Sequence, residues 1–300
     1  MEPLHGRLSA HRYPTLIRDR ISREEWTVSK DQQETSADDD QPSPSTAAEF
    51  DREFATVNRS SGLRRVWQRA SPDLPPEIEP YSFVSVALLD HVADALALAP
   101  GTTLVDLGCG RGGPGLWLAQ SHGAMLIGVD FSAAAVQQAT DRAVLFGLAD
   151  RARFVMGDLA ATGLADGAAD AVVSIDALHF AVDPTAAARE ALRLLRPGGR
   201  LALTNWQPRS PADARLPGRL RIDWADTLGS AGFAEVRVES RQAWHDLFTR
   251  VFQVALELGD PGNDVGLASL QDEARQALPK AHLVDRVVAT ATRPVDGIGL

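Results

Sequence analysis

The chain has 300 residues, 44% of them hydrophobic, and a formal net charge of −10. That is enough apolar material for one large domain or two small ones, and the acidic balance argues against sequence-independent binding to nucleic acid or to an anionic membrane surface. The single cysteine, Cys109, excludes an intrachain disulfide and a cysteine metal cluster, and no HEXXH-like pattern points to a catalytic metal. No uninterrupted apolar stretch approaches the roughly 20 residues that span a bilayer. Met1 to Arg20 lacks the apolar centre of a signal peptide, so the expectation is a soluble cytoplasmic protein without membrane insertion.

Residues 1–45 differ from the rest. Asp38-Asp39-Asp40 is followed by Pro42, Ser43, Pro44 and Ser45, and apolar residues are sparse. Such a segment buries too little surface to offset its ordering entropy, which predicts a disordered tail with at most a short helix at Pro14–Arg23. Helical periodicity starts at Ala47. Phe50, Phe54 and Val57 fall at i, i+4 and i+7, and Leu63, Val66 and Trp67 continue after a break at Ser60-Ser61-Gly62. Pro72, Pro75, Pro76 and Pro80 then force an irregular link, which closes a helical cap over residues 46–82. A clearer helix, Phe83–Leu98, ends at Pro100-Gly101.

The centre, residues 83–206, alternates. Strands are predicted at Thr103–Leu107, Met125–Val129, Ala152–Met156, Ala171–Ile175 and Arg200–Thr204. Helices are predicted at Gly113–Gln120, Ser132–Phe146 and Pro184–Leu195, with Ser132 and Asp183 as N-caps. Alternation of this kind implies a parallel sheet with right-handed crossovers and a ligand beyond the carboxyl ends of the strands. Residues 207–300 read as the substrate side: a proline- and arginine-rich loop from Trp206 to Arg221, a helix Ile222–Gly229 and a strand Glu235–Val238. A helical pair follows at Ala243–Leu258 and Val265–Leu278, and a last strand at Arg286–Ala291.

The first strand runs into Asp106-Leu107-Gly108-Cys109-Gly110-Arg111-Gly112-Gly113-Pro114-Gly115. Gly110, Gly112 and Gly115 fit the dinucleotide pattern G-x-G-x-x-G, as do Gly108, Gly110 and Gly113, and that pattern alone does not name a ligand. Asp106 says more. A carboxylate at a phosphate-binding turn repels a pyrophosphate but suits a ligand with a cationic end, such as the ammonium of a methionine moiety. Asp130 ends the second strand, 20 residues past Gly110, where an acid accepts hydrogen bonds from both hydroxyls of an adenosine ribose. NAD enzymes place an acid equivalently, so Asp130 supports adenosine without choosing the cofactor.

Residues 106–112 resemble the first motif, E/D-x-G-x-G-x-G, of class I S-adenosylmethionine-dependent methyltransferases of the small-molecule (ubiquinone and natural-product) type. The Leu195-Arg196-Pro197-Gly198-Gly199 turn, about 90 residues on, is similar to a segment frequent in the same family. The resemblance covers Val105 to Leu203, a third of the chain. It implies a Rossmann-like α/β fold: a seven-stranded, mostly parallel sheet with helices on both faces, an antiparallel last strand, a helical N-terminal cap and a helical insertion before that strand. It implies S-adenosyl-L-methionine as cofactor, held by Asp106, Gly108, Gly110, Asp130, Phe131, Asp158, Leu159 and Asp176. It also implies methyl transfer to a small-molecule acceptor, on oxygen, nitrogen or carbon. His179, at the end of the fourth strand, and His245, in the insertion, are the candidate general bases, since imidazole titrates near neutral pH. Two alternatives stay open: an NAD(P)-dependent oxidoreductase, and a methyltransferase-fold protein that binds the cofactor without transferring methyl, as a cyclase or an assembly partner.

Overall fold

The structure, a computed structural model, describes residues 47–57, 59–210 and 213–295. The expected tail and its short helix lie outside these residues. Seven strands, β1 (Thr103–Leu107), β2 (Met125–Asp130), β3 (Ala152–Met156), β4 (Ala169–Ile175), β5 (Leu195–Pro208), β6 (Ala234–Ser240) and β7 (Val284–Thr292), form one sheet. Its order is β3-β2-β1-β4-β5-β7-β6. The first five strands pair in parallel, and β7 runs antiparallel to both β5 and β6. The helices are α1 (Ala47–Val57), α2 (Ser61–Ala70), α3 (Val86–Leu96), α4 (Gly113–His122), α5 (Ala133–Leu145), α6 (Pro184–Leu194), α7 (Trp224–Ala231), α8 (Gln242–Glu257) and α9 (Val265–Ala277). This is a Rossmann-like sheet with its last strand antiparallel and the α8–α9 pair inserted before it.

Both faces of the sheet are buried, and the alternation along the strands sorts the core into two layers. Leu104, Leu126, Ala171, Val173 and Ala202 face the layer made by α3, α4 and α5. Val105, Leu107, Ile127, Val129, Val172, Leu201 and Leu203 face α6 and α7, where Trp224 is fully buried. A third apolar cluster lies apart from the sheet layers. It joins Val66 and Ala70 of α2 with Phe248, Val251, Phe252 and Ala255 of α8 and Leu267 and Ala274 of α9. Two glycines let this helical roof close up: a Cβ on Gly62 would overlap Leu267, and one on Gly266 would overlap Ser60. Asp264 caps α9 at Leu267 N (3.0 Å) and accepts from Gly62 N (2.7 Å), so one carboxylate sets both helix starts.

Helix ends follow local chemistry. Ser132 accepts from Ala135 N at 3.1 Å, and Asp183 from Thr185 N and Ala186 N. Several predicted boundaries move, and two of the shifts have a plain cause. The β5 strand runs to Pro208 instead of stopping at Thr204, because its polar end, Asn205 to Pro208, pairs with β7 from Val287 to Val284. Hydrogen bonds to a partner strand carry it through residues whose side chains give no strand pattern. The α7 helix spans Trp224–Ala231 rather than ending at Gly229. Asp223 caps it, and Gly232, at φ +101°, supplies the left-handed stop.

Candidate active site

The strand order reverses between β1 and β4, and the crevice beyond their carboxyl ends opens there. A cavity of about 270 Å³ occupies it. Its floor is the turn after β1. Gly108 and Gly110 have φ of +71° and +50°, and a Cβ on Gly108 would overlap Ala177, so the backbone there is bare and close to the cavity. Gly115 serves another purpose: a Cβ on it would overlap the Asp106 carboxylate, which lies across the first turn of α4.

Asp106 is 2% exposed, and its Oδ1 has no hydrogen-bond partner among the described residues. Burial, and then the neighbouring Asp130, push its carboxyl up to about 7. Asp130 is also buried, but its oxygens are used. Oδ2 accepts from Gly110 N at 2.8 Å and Oδ1 from Ser132 N at 2.9 Å. Burial still raises its pKa, against the lowering effect of these bonds. Both carboxylates line the cavity, as do Gly108, Gly110 and Phe131. So do Asp158 and Leu159 after β3, where Asp158 Oδ1 also accepts from Ala160 N at 2.8 Å.

Asp176 lines the same cavity, but its carboxylate is engaged within the protein. Arg286 of β7 meets it with both terminal nitrogens, at 2.6 and 2.8 Å, Thr204 donates to Oδ1 at 2.7 Å and Phe83 N to Oδ2 at 3.0 Å. Asp176 holds a left-handed backbone, φ +54°, to do so. Arg286 is 1% exposed and its guanidinium also lies over the Trp206 ring at 4.6 Å. This pair ties the end of β4 to β5, β7 and the segment before α3.

The two histidines stand outside the set of lining residues. His179 is buried behind the wall, 4.1 Å from the Phe180 ring centroid and 5.6 Å from that of Trp206. Burial first, then the charges of Arg219 and Arg286, push its imidazole down to about 3. At neutral pH that leaves it a neutral ring packed behind the cavity wall. His245, on α8, packs edge-on against Phe248, and burial and Arg209 lower its pKa as well.

Several lining residues carry no sequence motif. Phe50 and Phe54 of α1 reach over the glycine turn: Phe50 lies 5.3 Å from the Phe131 ring centroid, and a Cβ on Gly110 would stand 3.4 Å from Phe54 Cζ. Asp51 pins α1 there by accepting from Ser132 Oγ and Ala134 N at the start of α5. Trp67, Tyr81, Phe83 and Trp206 add rings, and α9 adds Gly266, Ser269, Leu270 and Glu273. The i, i+4 spacing of Phe50 and Phe54 was a usable signal for one apolar face. Glu273, within Gln271-Asp272-Glu273-Ala274-Arg275, reads as an ordinary surface charge.

Residues 105–203 match the family model described as a methyltransferase domain. Over 116 residues the chain is 38% identical to 27-O-demethylrifamycin SV methyltransferase of Amycolatopsis mediterranei, a match covering 39% of this chain and 43% of that one. The chain spans about half the length, or less, of the curated relatives it matches. Among solved structures it is similar to the [4+2]-cyclase SpnF, with a TM-score of 0.60 and 29% identity over 70% of this chain and 80% of that one. It shares the fold of geranyl diphosphate C-methyltransferase from Streptomyces coelicolor, solved with Mg2+, geranyl diphosphate and S-adenosyl-L-homocysteine. There the TM-score is 0.56 and the identity 19%, covering 69% of this chain and 78% of that one.

Proposed function

We propose that this chain, whose residues 105–203 match the methyltransferase-domain family model, transfers the methyl group of S-adenosyl-L-methionine to a small-molecule acceptor. One observation carries the reading. The Asp106 carboxylate is buried, lines the cavity beside the glycine turn, and has an oxygen without a partner among the described residues. A buried anion left unpaired is costly, and the cationic ammonium of a methionine moiety is the kind of group that offsets the cost. A pyrophosphate at the same place would be repelled, which sets the NAD(P) alternative aside.

In this reading Asp106 holds the amino-acid end of the cofactor, and the bare backbone at Gly108 and Gly110 lets it lie close. The lone pairs that Gly110 N and Ser132 N leave on Asp130 accept from the ribose hydroxyls. Asp158, Leu159 and Phe131 surround the adenine. When bound, the cofactor supplies a methyl group already made electrophilic by its sulfonium. The protein then has to align the acceptor with that methyl and keep water out, and orientation alone removes on the order of several kcal/mol from the barrier. Phe50 and Phe54, pinned by Asp51, close the cofactor side. Asp176 contributes through Arg286 and Phe83, which it holds in place.

The test is titration calorimetry with S-adenosylhomocysteine and NAD+, followed by an assay for S-adenosylhomocysteine release with hydroxyl, amine and carbon acceptors. The expected result is binding of the first ligand alone and turnover with at least one acceptor class. Asp106→Ala and Asp130→Ala should each weaken binding by about 1–3 kcal/mol, the cost of losing a buried charge-assisted hydrogen bond. NAD+ binding without S-adenosylhomocysteine binding overturns the reading. The 29% likeness to a cyclase favours a second reading, cofactor binding without methyl transfer. Tight binding with no turnover across the panel would select it.

A further inference from the structure

The cofactor assignments leave over a part of the cavity walled by rings and by one stripe of α9. Gly266, Ser269, Leu270 and Glu273 fall at i, i+3, i+4 and i+7, so a single face of that helix looks inward. Gly266 and Leu270 add only apolar surface. Glu273 adds a carboxylate, and among the described residues no hydrogen bond or ion pair engages it. Its neighbours are committed. The Tyr81 hydroxyl donates to Glu53 Oε1, and Asp176 is taken up by Arg286.

We propose that Glu273 is the catalytic base of the acceptor side, and that the acceptor is a largely apolar molecule presenting a hydroxyl to it. The inference rests on the methyl-transfer reading and adds the substrate class and the proton's destination. The acceptor O–H bond breaks and its proton passes to a Glu273 carboxylate oxygen. The acceptor oxygen forms a bond to the methyl carbon, and the carbon–sulfur bond breaks with its electron pair left on sulfur. The proton then leaves to solvent.

A hydroxyl fits this setting better than an amine. Glu53 and Glu273 together would hold an amine as its ammonium ion, which has no lone pair to attack with. A hydroxyl keeps its lone pairs and needs only its proton taken. The charged groups that bear on Glu273 are Glu53 from α1, Asp176 from the end of β4 and Arg219 from the turn before α7, and Tyr81 stands beside Glu53. Glu273 stays open to solvent on the cavity side; partial desolvation by the surrounding wall, then the acidic neighbours, push its carboxyl up to about 7, with Arg219 opposing. A carboxyl that titrates at working pH has the balance of basicity and ionisation that general-base catalysis favours.

The test uses the full chain and two planar probes, 1-naphthol and 1-naphthylmethylamine. Quenching of Trp67 and Trp206, both on the chamber wall, reports probe binding to the S-adenosylhomocysteine complex. Product release with S-adenosylmethionine reports turnover. Expected are binding of 1-naphthol that weakens about tenfold in Glu273→Gln, and S-adenosylhomocysteine affinity within twofold of wild type. Turnover of 1-naphthol should rise with pH through about 7, fall at least a hundredfold in Glu273→Gln with that pH step removed, and recover in part in Glu273→Asp. Equal naphthol affinity or equal turnover in wild type and Glu273→Gln overturns the assignment, as does failure of wild type to bind 1-naphthol. Preference for the amine, lost in Glu273→Gln, makes Glu273 a cation-binding group instead. If wild type fails to bind S-adenosylhomocysteine, the methyl-transfer reading falls, and that outcome is distinct from the others.

Discussion

Asp106 is a residue whose cost and use have the same origin. Its carboxyl sits near 4 in an unfolded chain and is pushed to about 7 by burial and Asp130 in the fold. Between those values the folded chain holds the extra proton, so this group's contribution lowers the stability of the unliganded protein as pH rises from about 4 to about 7. Ligand binding runs the other way, because an ammonium partner prefers the ionised acid. Affinity for S-adenosylhomocysteine should therefore fall below about pH 7, approaching tenfold per unit. Asp106→Asn should flatten that dependence and weaken binding, yet raise the denaturation midpoint of the unliganded protein at pH 8, an advantage that narrows toward pH 4. Calorimetry and urea unfolding across that range read both. Asp106, Gly108 and Gly110 were legible as candidates because the turn chemistry is contiguous in the chain, and Asp130 because it closes the next strand at a readable spacing of 20 residues from Gly110. The need for Gly115 was not, since it arises only when α4 lies over the Asp106 carboxylate. For His179 the sequence shows a position beside a strand end that suggests a base, and only the fold shows the burial that lowers its pKa.

At the level of elements, α1 illustrates how a short amphipathic helix acquires a function from where it docks. Its Phe50 and Phe54 face the cavity because Asp51 is fastened to the start of α5. Asp51→Ala removes two hydrogen bonds from a partly exposed site, so the stability loss should be small, about 0.5–1.5 kcal/mol. The larger effect should be kinetic, a several-fold faster release of S-adenosylhomocysteine in stopped-flow fluorescence as α1 loosens. An unchanged release rate would mean that α1 does not gate the cofactor. Helix periodicity and the Ser60-Ser61-Gly62 break located α1 and α2 in advance, and the alternating centre located the strands. The length of β5 was out of reach, because its last residues are strand only by virtue of β7.

At the scale of the sheet and its cap, the Asp176–Arg286 pair ties distant segments together. These residues are 110 positions apart, and their side chains are 8% and 1% exposed. Removing one partner strands a buried charge, so Arg286→Met should cost about 3–5 kcal/mol in chemical denaturation. Asp176→Asn combined with Arg286→Met should recover part of that loss, since it removes the orphaned charge as well. An additive double mutant would show that the two side chains act independently. The same pair sets the segment before α3 against the sheet, so turnover should fall in the double mutant even where stability returns.

By itself the sequence determined the α/β class, the strand and helix positions of the centre, the glycine turn and the acids that close the strands. Those features follow from backbone chemistry within a few residues: positive φ at glycine, fixed φ at proline, capping oxygens, and periods of two and 3.6. The tertiary structure alone decided the order β3-β2-β1-β4-β5-β7-β6, the reach of α1 over the turn, and the gathering of Glu53, Tyr81 and Glu273 around one chamber. It also decided which ionisable groups titrate near neutrality, because desolvation is a property of surroundings assembled from distant parts of the chain. Burial brought Asp106 into that range and took His179 out of it, while Glu273, open to the cavity, is raised by its surrounding wall and acidic neighbours.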